Sequence, residues 1–599
     1  MIEQALNMYQ NRDEIVPELI RTYESWRAER APIEKEWSDT QQMLFATDAA
    51  QSVGAVASSG WKNNSTRGKL TQIRDNLHAN YASAILNNPT NFKWESYGSD
   101  ENIHKKRRVI TASMANKLEQ SNFDKTVTKL LWDYIDYGVA FASARWISKT
   151  REVYNRQTRM TETITEYTGI EALRHSPYDV IINPTAANIE DSPQFIRSLV
   201  TLGEILSMQK NMVHDDAFKD KIKAMIDIRK MGGAHADDTY KDLQYQVQGY
   251  GSYTNYLQSG VVELITYYGN LVTNDGELLE NQRVVIADRS LVLVHDTYDA
   301  LPSRSFVKMA GWRDRPDNLY SQSPLSKLIG LQFRLDKLEN MKADAMDLAI
   351  EPPIAIKGEV SDFTWQPGEV IDVDIDGDIQ EMGKNLGGVI TAQNEIAALE
   401  AAMEEFAGAP KQAMGFRTPG EKTAFEVQSL ETAGSRIFQQ KVIKFERELL
   451  EPLLNDMLAL ARINLQSQTE IKIIDPDLNV EDFISITVDD LIANGTIKAI
   501  GSRHYITKSQ LMQELAGLFN SGMAGIIQPH ISGIKLAELI KDVLQLDKYD
   551  IVRPMVALEE KADMEMLGSQ LQENVVTSQG GNAEATVQDV ATVTGMPQQ

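Results

Sequence analysis

At 599 residues the chain exceeds what one compact core sustains, which excludes a single small module and predicts several domains or an elongated subunit. Apolar residues make up 42% and charged residues 24%, a balance that excludes a disordered chain; a net charge of −25 argues against a regulator that grips duplex nucleic acid through a basic face. With no cysteine there are no disulfides, thiolate metal sites or cysteine nucleophiles, which fits assembly in a reducing cytoplasm.

The first residues, Met1 to Leu6, lack a basic segment followed by an apolar core, and no uncharged run approaches membrane-spanning length. The expectation is a soluble, unexported chain with no membrane contact. From Met1 to about Ala50 the pattern is helical, with Leu19, Tyr23, Trp26, Ile33 and Trp37 forming an apolar stripe; Gln51 to Gly60 reads as a linker. Helices are predicted over Lys69 to Leu86, Asn102 to Gln120 and Asp124 to Tyr137.

After Gly138 the texture turns to short stretches rich in β-branched and aromatic residues: Val139 to Trp146, Thr163 to Leu173, Val180 to Ile182 and Phe195 to Val200. A helical segment, Leu202 to Lys230, and a flexible, tyrosine-bearing loop at about 231–258 interrupt this β module. It resumes at Val261 to Val272, Arg283 to Ala287 and Leu291 to His295, with a hairpin turn at Asn274-Asp275-Gly276.

Ser323 reads as an N-cap and Pro324 as the first residue of a helix on which Leu328, Leu331, Leu335 and Leu338 recur; Glu351-Pro352-Pro353 ends it. A turn-rich segment, Ile354 to Gly388, leads to a second helix, Val389 to Ala407, and a loop, Gly408 to Gly420. The longest helical signal runs from Lys422 to Leu465, about 60 Å if continuous. Pro452 lies inside it and predicts a kink near Glu448 to Pro452. Beyond lie a β-like stretch at Glu470 to Ile474, helical segments from Thr507 to Leu544, a short helix within Met555 to Gln572, and a small-residue, polar tail expected to be disordered.

Motifs for chemistry are weak. Gly415 to Thr423 nearly spells a phosphate-binding loop, but Glu421 separates Gly420 from Lys422 and places a carboxylate where phosphate would sit. Asp372, Asp374, Asp376 and Gly377 match the first half of a calcium loop, yet its twelfth position is Gly383 where a bidentate glutamate is needed; a solvated acidic hairpin is the plainer expectation. The eight histidines show no metal-ligand spacing and no nucleophile elbow is present, so no catalytic residue, metal or cofactor is assigned. Lys105-Lys106-Arg107-Arg108 reads as a solvated helix face.

Glu421-Lys422-Thr423-Ala424-Phe425-Glu426-Val427, leading into Phe445-Glu446-Arg447-Glu448-Leu449-Leu450-Glu451-Pro452, resembles the tunnel-loop exit and long kinked helix of the portal, or head-to-tail connector, proteins of short-tailed podovirus-type bacteriophages. The order of elements carries the likeness through most of the chain. The resemblance implies an α+β, mainly α portal fold, assembled as a ring that is usually a homododecamer. Its wing would be residues 1–322, stem helix 1 residues 323–350, clip 351–388, stem helix 2 residues 389–407 and tunnel loop 408–421. The kinked wing helix with its β-like sequel would take 422–499, the crown 500–554, and a C-terminal helix and tail 555–599.

It also implies a non-enzymatic protein of the virion, at the capsid portal vertex, assembled in the host cytoplasm. Double-stranded DNA would pass non-specifically during packaging and ejection. The terminase large subunit, the major capsid and scaffolding proteins and the tail adaptor proteins would be its partners. On this likeness Glu395, Glu400, Glu404 and Glu405 would line the channel and repel phosphate, while Lys411 and Arg417 on the tunnel loop would touch the DNA backbone. Another viral assembly subunit and an unrecognised cytosolic enzyme are the competing classes.

Overall fold

The computed structural model describes residues 6–8, 15–46, 63–86, 92–97, 103–155, 160–190, 192–205, 216–230, 239–251, 261–273, 276–298, 305–350, 354–357, 378–381, 387–407, 437–464, 469–474, 481–486 and 495–499. The chain divides into two units, residues 1–474 with 481–502 and residues 475–480 with 503–599; every described residue belongs to the first.

Its elements begin with β1 (Leu6–Met8), α1 (Ile15–Phe45), α2 (Lys69–Leu86), β2 (Phe92–Ser96), α3 (Ile103–Gln120) and α4 (Phe123–Asp136). There follow β3 (Val139–Asn155), β4 (Met160–His175), β5 (Val180–Ile182), β6 (Gln194–Thr201), α5 (Asp216–Lys230), α6 (Thr239–Val247), β7 (Val261–Thr273), β8 (Leu278–Ala287) and β9 (Leu291–Thr297). Next come β10 (Lys308–Gly311), β11 (Arg313–Arg315), β12 (Asn318–Gln322), α7 (Ile329–Ile350), β13 (Ile354–Lys357), β14 (Asp378–Glu381) and α8 (Gly387–Phe406). The last are α9 (residues 437–464), β15 (Thr469–Ile474), β16 (Glu481–Ile486) and β17 (Gly495–Ala499). The fold is α+β, with helix outweighing strand among the described residues.

The largest sheet has the order β5-β6-β7-β8-β9, with β1 adding in parallel to the end of β7. Period-two alternation gives it two apolar faces. Ile265 and Tyr267 of β7 with Val284 and Ile286 of β8 meet Ile15, Leu19, Tyr23 and Trp26 of α1, whereas Val262, Leu264 and Ala287 meet Ile222 and Met225 of α5. Burying a side chain of this size stabilises the fold by about 1.5–3 kcal/mol, so one helix on each face fixes the sheet's register.

A second core joins α2, α3, α4 and α9 around β3 and β4. Leu70, Ile73, Leu77, Tyr81 and Ile85 of α2 face Leu130, Leu131 and Tyr134 of α4 and Phe445, Leu449 and Leu453 of α9. Two features deliver α7 from this core. Gly138 turns the end of α4 into β3 at φ +75°, and a Cβ there would stand 2.3 Å from the Ser323 nitrogen, so only glycine fits. The Ser323 hydroxyl donates to the Ile135 carbonyl (2.7 Å) and accepts the Leu325 N–H (3.0 Å).

Ser323 therefore caps a turn through Pro324, and α7 proper starts only after the 3₁₀ turn Ser326–Leu328, a few residues later than the N-cap pattern predicts. The loop expected at about 231–258 also differs: α6 lies within it and docks on α1. Lys241 is buried against Asp179, and Gln244 Nε2 donates to the Tyr137 hydroxyl at 2.6 Å.

Where Pro452 predicts a kink, α9 widens into a π-helical turn at Glu446–Leu450, in which the Glu451 N–H bonds the Glu446 carbonyl five residues back. Pro452 has no N–H to give the Glu448 carbonyl, and the wider turn is a common way for a helix to absorb such a mismatch.

Candidate assembly surface on the α7–α8 helix pair

Leu328 of the preceding 3₁₀ turn and Leu335 of α7 hold the start of that helix in the core, and α8 runs back along it to Met403 and Ala407, which rejoin the same core. Between them β13 and β14 pair antiparallel from Ile354↔Glu381 to Lys357↔Asp378. Cross-helix polar contacts set the pairing: Arg334 with Glu395 at 2.8 Å, and Lys342 Nζ donating to Gln393 Oε1 at 3.0 Å.

Glu395, Glu400 and Glu404 are thus not free carboxylates. Glu400 pairs with Arg67 at 2.8 Å and Glu404, buried, with Lys69 at 2.6 Å; Glu405 is exposed. The repulsive stripe expected from four glutamates is largely neutralised within the chain, because cations from α7, from the segment before α2 and from the first residue of α2 reach α8. No sequence spacing could show those partners. Lys411, Arg417, Asp372, Asp374 and Asp376 lie outside the described residues, as do the phosphate-loop near-match and the tail. Among the described residues no group of His, Asp or Glu is placed to hold a metal, and no helix is long and apolar enough to cross a membrane.

A polar stripe that sequence inspection overlooks runs along α7: Gln332, Asp336, Asn340 and Asp344, four residues apart and so on one face. Residues 63–70 lie against it. Burial raises the Asp336 carboxyl above its ordinary range even though the Arg67 N–H, Thr66 and Gln332 all donate to it.

Several large apolar side chains of the helix pair are exposed. Met341 is 47% exposed, Met346 46%, Leu348 59% and Ile350 72%, and Ile390, near the start of α8, is 65% exposed. Met341 and Leu348, seven residues apart, share one face of α7, and Met346 and Ile350, four apart, share another, so the exposed apolar side chains are spread around the helix.

One pair has the composition of a hydrolase dyad: Ser143 Oγ and His175 Nε2 are 2.7 Å apart across β3 and β4. Both are buried, and burial lowers the His175 imidazole to about 4, so it stays neutral at physiological pH as a core hydrogen-bonding group. The folded pKa lies below the unfolded 6.5, so this contribution is present above pH 6.5 and is lost as pH falls toward 4. The loss is about 3 kcal/mol in full. Chemical unfolding of His175→Gln across pH 4–7 is expected to lack that limb, and a variant as acid-sensitive as wild type would contradict the assignment.

No protein-family model matches this chain, and no curated protein matches it.

Proposed function

We propose that the chain is the protomer of a portal ring, a conduit at one capsid vertex through which double-stranded DNA is packaged and later ejected. The observation carrying this reading is the set of exposed apolar side chains along the α7–α8 pair, set beside the order of elements that resembles portal subunits. Rings close through repeated contacts between identical subunits, and Met341, Met346, Leu348, Ile350 and Ile390 give the protruding helix pair a reason to seek a neighbouring copy.

In this reading the channel is passive. Glu405 adds exposed negative charge, the paired Glu395, Glu400 and Glu404 add less, and Lys411 and Arg417 give brief backbone contacts indifferent to base sequence. Force comes from a separate terminase motor whose large subunit docks at residues 351–388. Capsid, scaffolding and tail adaptor proteins occupy the remaining faces, and no catalytic step is assigned to the chain.

Leu348→Glu combined with Ile350→Glu tests the contact. Each charge placed in a buried interface costs about 1–3 kcal/mol, so the concentration for half-assembly should rise at least roughly ten-fold while circular dichroism of the subunit is unchanged. Sedimentation showing assembly like wild type would remove the surface from the account.

A further inference from the structure

Residues 63–70 form a strap whose attachment to α7 depends on side chains of the helix. The Asn63 N–H and Nδ2 donate to Asp344 Oδ1 (2.9 and 2.8 Å), and Nδ2 also reaches Asp347 (2.8 Å). The Ser65 N–H and hydroxyl donate to Asn340 Oδ1 (2.9 and 3.0 Å), and Asn340 Nδ2 donates back to the Ser65 carbonyl (3.0 Å). Thr66 Oγ1 and the Arg67 N–H donate to Asp336 (2.9 Å each); Gln332 Nε2 donates to the Arg67 carbonyl (2.8 Å) and its Oε1 accepts the Leu70 N–H (3.0 Å).

The register has a geometric basis. Strap residues 63, 65 and 67 meet helix residues 344, 340 and 336, so the strap runs antiparallel to α7, two residues for every four. Two extended residues rise about 6.6 Å and four helical residues about 6.0 Å. The side-chain amides of Asn340 and Gln332 each present a donor and an acceptor, as a strand edge does, so the polar stripe serves as a surrogate strand. Arg67 and Lys69 then reach across to Glu400 and Glu404, tying the strap to α8 as well.

We propose that this strap is a separable latch. Closed, it ties the outer part of the α7–α8 pair to α2; open, it releases that tie while Leu335, Met403 and Ala407 keep the base of the pair in the core and the two cores stay folded. Three observations support it. Residues 63–68 have no regular structure of their own, α2 beginning at Lys69, and Asn64, Ser65, Arg67 and Gly68 are exposed. The N–H groups of Asn63, Ser65 and Arg67 are all held by side chains of another element, and apolar burial resumes only at Leu70. The latch goes beyond the ring reading and does not require it: a chain that never assembles would still show it, and a ring could form without it.

Native-state hydrogen exchange on the full chain, at rising sub-denaturing urea, tests the latch. Amides of Ser65 and Arg67 are expected to exchange through an opening nearly independent of urea, at least roughly a hundred-fold more often than amides of α4 and β3. Asn340→Leu should speed the strap roughly ten-fold and leave α7 and α8 within about two-fold. Should that variant not fold, Asn63→Ala, which removes the two side-chain bonds to Asp344 and Asp347 and keeps the backbone N–H bond to Asp344, should speed the strap roughly three-fold with the same helices unmoved. Strap amides that share the urea-dependent opening of α4 and β3, or helices that accelerate together with the strap, would overturn the proposal.

Discussion

Replacing Arg30 by methionine is expected to destabilise the first unit by about 3–5 kcal/mol, the range for breaking a buried ion pair on one side. Arg30 is 2% exposed on α1, and its guanidinium donates to Glu34 (2.9 and 2.6 Å) and to the carbonyls of Pro177 (2.9 Å), Tyr178 (2.8 Å) and Val180. The rings of Trp37 and Tyr320 lie 5.6 and 5.5 Å from its central carbon. One planar fork therefore joins α1, β5 with the turn before it, and β12. Methionine keeps the aliphatic volume but leaves Glu34 buried without its cation and strips three carbonyls of a donor. Lysine should recover only part of the loss, because one ammonium cannot span those directions. The check is the denaturant midpoint read by tryptophan fluorescence, and a shift worth less than about 1 kcal/mol would contradict the role given to Arg30.

Asp456→Ala should cost a similar amount, for a different reason. Asp456 on α9 is fully buried and pairs at 2.5 Å with Lys308 of β10, itself 3% exposed. Burial draws the Lys308 ammonium below its ordinary range, and Asp456 only partly restores it. Alanine leaves a buried cation that must shed its proton or draw in water. The double replacement Lys308→Met with Asp456→Leu removes both charges and keeps most of the volume, so it should lie within about 1–2 kcal/mol of wild type. Unfolding of the two single variants and the double then yields a coupling of about 2 kcal/mol or more. Additive losses would show that the pair does not act as a unit.

Both sites show where the sequence is legible and where it is not. Leu70, Ile73, Leu77, Tyr81 and Ile85 repeat at three- and four-residue steps, and the helix they predict, Lys69–Leu86, is the observed α2. Val180–Ile182 likewise follows from its β-branched run. The ribbon β3–β4 reaches well beyond the expected Trp146 and Thr163, to Asn155 and Met160, because residues such as Lys149 and Arg151 give it no apolar alternation to read. β2 and β17 are not legible at all. They pair across some four hundred residues, and Asn455 of α9 completes the edge by accepting the Ile497 N–H (2.8 Å) and donating to its carbonyl (3.0 Å).

The α7–α8 pair shows the same division. Its two helices are evident from periodicity, and the four-residue spacing of Gln332, Asp336, Asn340 and Asp344 stands in the sequence, yet nothing local says that residues 63–70 fill it. The charges of Glu395, Glu400 and Glu404 look free until Arg334, Arg67 and Lys69 are placed beside them. Partner identity is a long-range property, whereas helix formation and burial pattern are written within a few turns.

Native mass measurement with particle imaging, on purified chain under conditions that permit assembly, addresses the ring directly. Twelve copies of the 67.1 kDa chain give a species of about 805 kDa with an annular outline and an axial opening wide enough for duplex DNA. A chain that stays at 67.1 kDa with wild-type α7 and α8, and shows no axial opening in any assembly, would contradict the portal reading.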